Sequence, residues 1–163
     1  MSRFYLPVIT MLLTLAGCTS AVSHVVTHLN DEAALAGDLP MDPLRWDVIT
    51  FEANPSESTV STLFGNDIGV EYARRESAGN YPPGSVLAFV TWRRQEDGRW
   101  FGARMPARVK SVEFVEFPSS EEGHSAVRYR LYSGYPLRQA ESSTAQADGR
   151  IRNLVSLRAA VMP

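Results

Sequence analysis

The side chains best suited to nucleophilic, redox or metal chemistry in this chain are few: Cys18, His24, His28 and His124. His24 and His28 are four apart, a spacing that puts two imidazoles on one face of a helix, where they can supply part of a metal site. No carboxylate or third ligand is clearly placed to complete it, so the pair reads as part of a tether and no metal site is assigned. Cys18 is the only cysteine, which excludes an intramolecular disulfide and any multi-cysteine metal site. His124 sits in the polar run Glu121-Glu122-Gly123-His124-Ser125 and reads as a surface-loop residue. Its alternative role is the single proximal ligand of a non-covalently held haem. A Ser-His-Asp hydrolase would bring a nucleophile elbow, and no Gly-x-Ser-x-Gly is present. No catalytic residue is assigned.

A second group of residues could form a binding pocket. Tyr81, Phe89, Trp92, Trp100 and Phe101 cluster in sequence around one hairpin. Most are expected to be core, because aromatics carry large buried areas. The functional alternative is an apolar pocket with a few polar groups. Arg93, Arg94, Arg99 and Arg104 border the same hairpin. Most should form a solvated face, while one or two, Arg104 among them, could hold a carboxylate by paired hydrogen bonds.

The elements that position these residues follow from patterning. Met1-Ser2-Arg3 is a positive start, Phe4 to Leu15 is an apolar run of signal-peptide length, and Leu15-Ala16-Gly17-Cys18 follows. The run is too short to span a bilayer comfortably as a transmembrane anchor. Residues 19–41 read as a tether with a weak helix over Glu32 to Ala36, ended by Gly37. The compact domain is expected from residue 43 to 163. Arg45 to Phe51 reads as a strand, and Val60 to Phe64 as a short segment of either type. Asn66 or Asp67 caps a helix to about Ser77. Tyr81-Pro82-Pro83-Gly84 is a rigid turn, and Val86 to Trp92 is the strongest strand. Asp97-Gly98 turns a hairpin, with Arg99 to Arg104 returning as its partner. Val109 to Phe117 and Val127 to Tyr132 are further strands, the latter alternating cleanly. Residues 139–150 read as a loop, and 151–161 are of uncertain type.

Composition bounds the rest. Apolar residues make up 44% and charged residues 21%, which is globular rather than disordered. The net charge of -2 gives no electrostatic reason to expect nucleic acid as a partner. The expected fold class is α+β, mainly β: a curved antiparallel sheet with one or two packed helices.

Two resemblances sharpen these readings. Residues 15–18 resemble the bacterial lipobox, which implies a signal peptide over 1–17, cleavage before Cys18 and diacylglyceryl lipidation of its thiol. Thr19 and Ser20 follow, neither of them aspartate, which by similarity to known sorting signals implies the outer membrane, facing the periplasm. Two acyl chains suffice for stable anchoring. Residues 60–117 resemble the cytochrome P460 family. The carrying residues are Gly65-Asn66-Asp67, Ala73, Tyr81-Pro82-Pro83-Gly84-Ser85-Val86 and the strand ending in Trp92 with its hairpin. Members of that family are small, largely β periplasmic proteins that usually bind c-type haem through Cys-x-x-Cys-His near the C-terminus. Characterised members oxidise hydroxylamine or bind nitric oxide, and some cross-link a lysine to the haem. This chain departs from the pattern at each chemical position. It has no Cys-x-x-Cys-His, and no lysine in the strand around Phe89. The resemblance therefore implies the fold and export to the envelope without covalent haem.

Three readings follow: a non-catalytic envelope lipoprotein binding a small apolar ligand or a protein partner; a protein binding haem non-covalently through His124; and a structural envelope-assembly lipoprotein with an exposed strand or aromatic patch.

Overall fold

The computed structural model describes residues 30–75, 79–119 and 126–160. Cys18 and the export segment, the His24–His28 pair, His124 and the expected helix end near Ser77 lie outside the described residues. Within them run β1 (Asp47–Asn54), β2 (Thr59–Gly65), α1 (Asp67–Arg75), β3 (Val86–Glu96), β4 (Arg104–Glu116), β5 (Arg128–Ser133), β6 (Arg138–Ala140) and α2 (Thr144–Ser156). The strands form one sheet in chain order, each antiparallel to the next. The fold is α+β and mainly β, a curved meander with two helices, as the patterning predicts.

The sheet is apolar on both faces, and that dictates what packs on it. Leu87, Ala88, Phe89 and Val90 are consecutive and all buried, so β3 needs cover on either side. On one face Leu63, Leu87, Phe89 and Val115 meet Val70 and Ala73 of α1 and Leu154 of α2. On the other, Phe64, Ala88, Val90, Trp92, Val112, Phe114 and Tyr132 form a second core. Among the described residues no α-helix covers this second face. Ala33, Leu35, Leu39, Met41 and Trp46 pack there instead, on a segment held by two short 3-10 turns, Asp31–Ala33 and Pro43–Arg45. Trp92 Nε1 donates to the Ala33 carbonyl at 2.8 Å, and Asn30 Nδ2 to that of Pro106 at 2.7 Å. The compact body thus begins before Pro43: the segment expected as a tether covers the sheet from residue 33 onward.

Asn66 explains why α1 and the Pro-Pro-Gly turn stand where they do. Its Oδ1 accepts from the backbone of Gly69 and of Val86, both at 3.0 Å, and its Nδ2 donates to the Gly84 carbonyl at 2.8 Å. One side chain caps the helix and ties it to the start of β3. Gly65 permits the close approach of both α1 and β1, since a Cβ there would lie 3.2 Å from Val70 N and Cγ2 and 2.8 Å from Ile49 Cδ1.

Three expectations change. Val60 to Phe64, ambiguous by pattern, is a strand because β1 and β3 flank it. The expected return strand Arg99 to Arg104 is instead a wide loop over residues 97–103, closed by a bond from the Asp97 amide to the Ala103 carbonyl at 3.0 Å, and the partner of β3 is the single long strand β4, which takes in Val109 to Glu116, expected as a separate strand. The cause is local: Asp97 Oδ1 accepts from the Arg99 amide, and Gly102 takes φ +76°, so the chain turns twice before pairing resumes. Residues 144–156, expected as loop and uncertain tail, are α2.

Candidate functional site

The helix-side face of the sheet is not apolar throughout. α1 covers its Gly65 end and α2 its β5 side. Between them and the β1–β2 turn a groove of about 260 Å³ remains. Its floor is built by alternate residues of three strands: Thr59 and Ser61 from β2, Phe89 and Thr91 from β3, and Ser111 and Glu113 from β4. Period-2 alternation puts them on the face that carries Leu63, Leu87 and Val115 further along. The β1–β2 arm adds Glu52, Asn54 and Glu57, Lys110 stands at the rim, and Arg150 of α2 closes the far wall.

The groove is polar, yet much of that polarity is buried. Thr59, Ser61, Thr91 and Glu113 are each less than a tenth exposed. Ser61 Oγ and Thr91 Oγ1 share a hydrogen bond of 2.9 Å across β2 and β3. Glu113 is gripped from two sides. Arg150 Nε donates to Oε2 at 2.7 Å and Nη2 to Oε1 at 2.8 Å, while the Tyr129 hydroxyl donates to Oε2 at 2.6 Å. Such paired, charge-assisted bonds orient both partners. The same guanidinium lies 5.6 Å above the Phe89 ring, so the arginine bridges an aromatic floor and a carboxylate wall.

Titration follows from this packing. The carboxylate bonded to Arg150 holds the guanidinium further above its ordinary range. Burial, with Glu113 beside it, pushes the Tyr129 phenol well above the usual tyrosine value. At the rim, the hydrogen bond and charge of Lys110, 2.9 Å away, hold the exposed Glu57 carboxyl below its ordinary range. Tyr81 lies deeper, packed on Tyr72 and Phe117 at ring separations of 4.8 and 5.5 Å, and burial pushes it up to about 12.

The aromatic pocket offered as the alternative to core packing around the hairpin does not assemble. Phe89 alone of its members lines the groove. Tyr81 is core on the helix side. Trp92 is core on the opposite face, because it lies three positions after Phe89, an odd offset, and strands alternate. Trp100 and Phe101 are 71% and 111% exposed, on the loop beyond the paired part of the hairpin. Arg104 bonds Glu96 at 3.1 Å at the loop base.

Glu113, Arg150, Ser61, Thr91 and Lys110 went unassigned in the sequence. Glu113 carried a signal: a carboxylate between Val112 and Phe114 in an apolar strand requires a partner. Arg150 carried none while its segment read as a loop. Among the described residues no group of three His, Cys, Asp or Glu side chains is placed to hold a metal ion, and no helix is long and apolar enough to cross a membrane. No protein-family model and no curated protein matches the chain.

Proposed function

We propose that this chain is a lipid-anchored protein of the bacterial envelope, held through Cys18 in the outer membrane and facing the periplasm. Its cytochrome P460-like domain, without covalent haem, binds a small ligand and performs no chemistry on it. The observation that carries the binding role is the groove over the sheet, where Glu113, Arg150, Ser61 and Thr91 are held in fixed geometry around the Phe89 ring. Fixed polar groups beside an apolar surface are what orient a ligand.

The lining defines the ligand's chemistry. A volume of about 260 Å³ lies just below the roughly 300–1,000 Å³ of sites for drug-sized molecules. The ligand is therefore small, and it is polar rather than apolar, carrying both donors and acceptors with one flat or aliphatic part against Phe89. The groove does not fit haem. It is too small for the macrocycle, and among the described residues its lining holds no histidine, cysteine or methionine. Glu113 is neutralised by Arg150 and capped by Tyr129, an arrangement that positions a ligand rather than reacting with it.

Native mass spectrometry of the protein extracted from envelopes tests this reading. We expect one small molecule per chain, with occupancy lowered about tenfold by Lys110→Glu at the rim, equivalent to about 1.4 kcal/mol. Protein that carries no adduct, and whose melting temperature no small polar molecule raises, overturns it. A saturable Soret shift on adding haem, lost in His124→Ala, would replace it with non-covalent haem binding.

A further inference from the structure

The loop at the end of the β3–β4 hairpin presents two aromatic rings to solvent. Trp100 is 71% exposed and Phe101 is 111% exposed, the most exposed large apolar side chains among the described residues. The loop is nonetheless ordered by its own bonds. The Trp100 amide donates to the Asp97 carbonyl at 3.3 Å and the Ala103 amide to the Trp100 carbonyl at 3.0 Å. Around Gly98 and Gly102 there is open space on the side a Cβ would take. The rings are held out at a tip, with no other segment placed over it among the described residues.

Two independent observations indicate what the tip meets. The first is charge. Over residues 93–104 four arginines, Arg93, Arg94, Arg99 and Arg104, stand against Glu96 and Asp97, a local positive excess in a chain whose net charge is -2. The second is the path of the chain. Asn30, where the described residues begin, is hydrogen-bonded to Pro106, two residues from the loop end of β4, and Pro106 pairs with Arg94. Asn30, the point from which the chain runs back to Cys18, therefore lies on the loop side of this hairpin. Twelve residues can reach at most about 40 Å, and the tip projects roughly 10–15 Å past Pro106 at strand rise.

We propose that Trp100 and Phe101 insert into the surface of the bilayer that holds the lipid anchor, with the flanking arginines on anionic phospholipid headgroups. The proposal rests on the lipid-anchor reading given above. Indole and phenyl rings beside arginines suit the interfacial zone, where an apolar body meets lipid and charged groups meet headgroups. The tip and the lipid on Cys18 then act as two attachments, which fixes the domain's orientation on the membrane as well as its proximity.

The test uses the processed, lipidated protein in vesicles of phosphatidylethanolamine and phosphatidylglycerol carrying brominated acyl chains. Trp100→Phe keeps an aromatic ring at the tip, so the emission lost between wild type and variant is that of Trp100 alone. We expect that emission to be quenched by the brominated chains and spared by aqueous iodide. Vesicles of phosphatidylcholine alone should quench it less. A Trp100 open to iodide in protein that still floats with the vesicles overturns the proposal and leaves the anchor reading intact. A Trp100 shielded from both quenchers overturns it in favour of a second copy covering the tip. Equal quenching in phosphatidylcholine overturns the role of anionic headgroups. Protein that does not float with vesicles at all overturns the anchor reading, and this proposal with it.

Discussion

Glu113 stands where a carboxylate is expensive, on a strand whose neighbours Val112 and Phe114 are fully buried. What makes the position tenable is Arg150, thirty-seven residues later, with two short bonds to it. Removing the arginine leaves a desolvated carboxylate with only the Tyr129 hydroxyl. Arg150→Ala should therefore lower stability by about 2–3 kcal/mol. That is less than the full loss for a wholly buried pair, because the arginine side chain remains 38% exposed and partly solvated. Glu113→Gln in the same background should recover much of that loss, since the amide oxygen keeps the bond from Tyr129 and the buried charge is gone. Urea unfolding of the single and double variants measures both effects, and equal midpoints for wild type and Arg150→Ala would refute the assignment. The surface pair of Glu57 and Lys110, exposed on both sides, should contribute little to folding, so Lys110→Glu reads ligand occupancy rather than stability.

At the level of elements, the two helices differ in how visible they were. α1 announces itself by Asn66 before an apolar run, and the structure puts Asn66 at its N-cap. The run buries one narrow stripe, Gly69, Val70 and Ala73, while the apolar Ile68 beside it is 44% exposed. The first half of α2 reads as loop, because Gln139 to Arg150 is polar and rich in small residues, and the type of its second half is open from the pattern. Its signal was local and short: Ser143 and Gln146 form a capping box, with each side chain bonded to the other's backbone. Ile151, Leu154 and Val155 follow at helical spacing and meet the core. Most strands are legible from β-branched and aromatic runs; β6, three residues at the edge of a stretch that reads as loop, is not, nor is the loop at 97–103. Asp97-Gly98 resembles a two-residue turn, and nothing in the pattern distinguishes that from a wider loop closed at Ala103. The groove was hidden for the same reason as α2, since its far wall is a residue of that helix. Ser143→Ala should cost about 1 kcal/mol through the lost cap, visible as a lower melting temperature, together with weaker ligand retention if α2 frays and moves Arg150. An unchanged melting temperature would mean that tertiary packing alone holds the helix start.

For the whole molecule the governing fact is a single sheet with two apolar faces. Two helices cover one face, and the other depends on residues 33–46, which carry no long regular element. A short polar-looking leader, expected as a tether, thus completes the second core. It could not be recognised from its own sequence, because Leu35, Leu39 and Met41 show no sustained periodicity and acquire meaning only opposite Phe64, Val90 and Phe114. A chain beginning at residue 47 loses the contacts of Leu35, Leu39, Met41 and Trp46. At about half of full burial each, that amounts to on the order of 3–6 kcal/mol, comparable with the total stability of many domains. It also loses the backbone acceptor for Trp92 and exposes a broad apolar surface. We expect the chain from residue 47 to bind hydrophobic dye and self-associate, whereas a chain from residue 30 should unfold cooperatively and remain monomeric. Calorimetry and light scattering on the two chains measure this. If both unfold at the same temperature as monomers, the leader is a passive tether after all, and the second core closes without it.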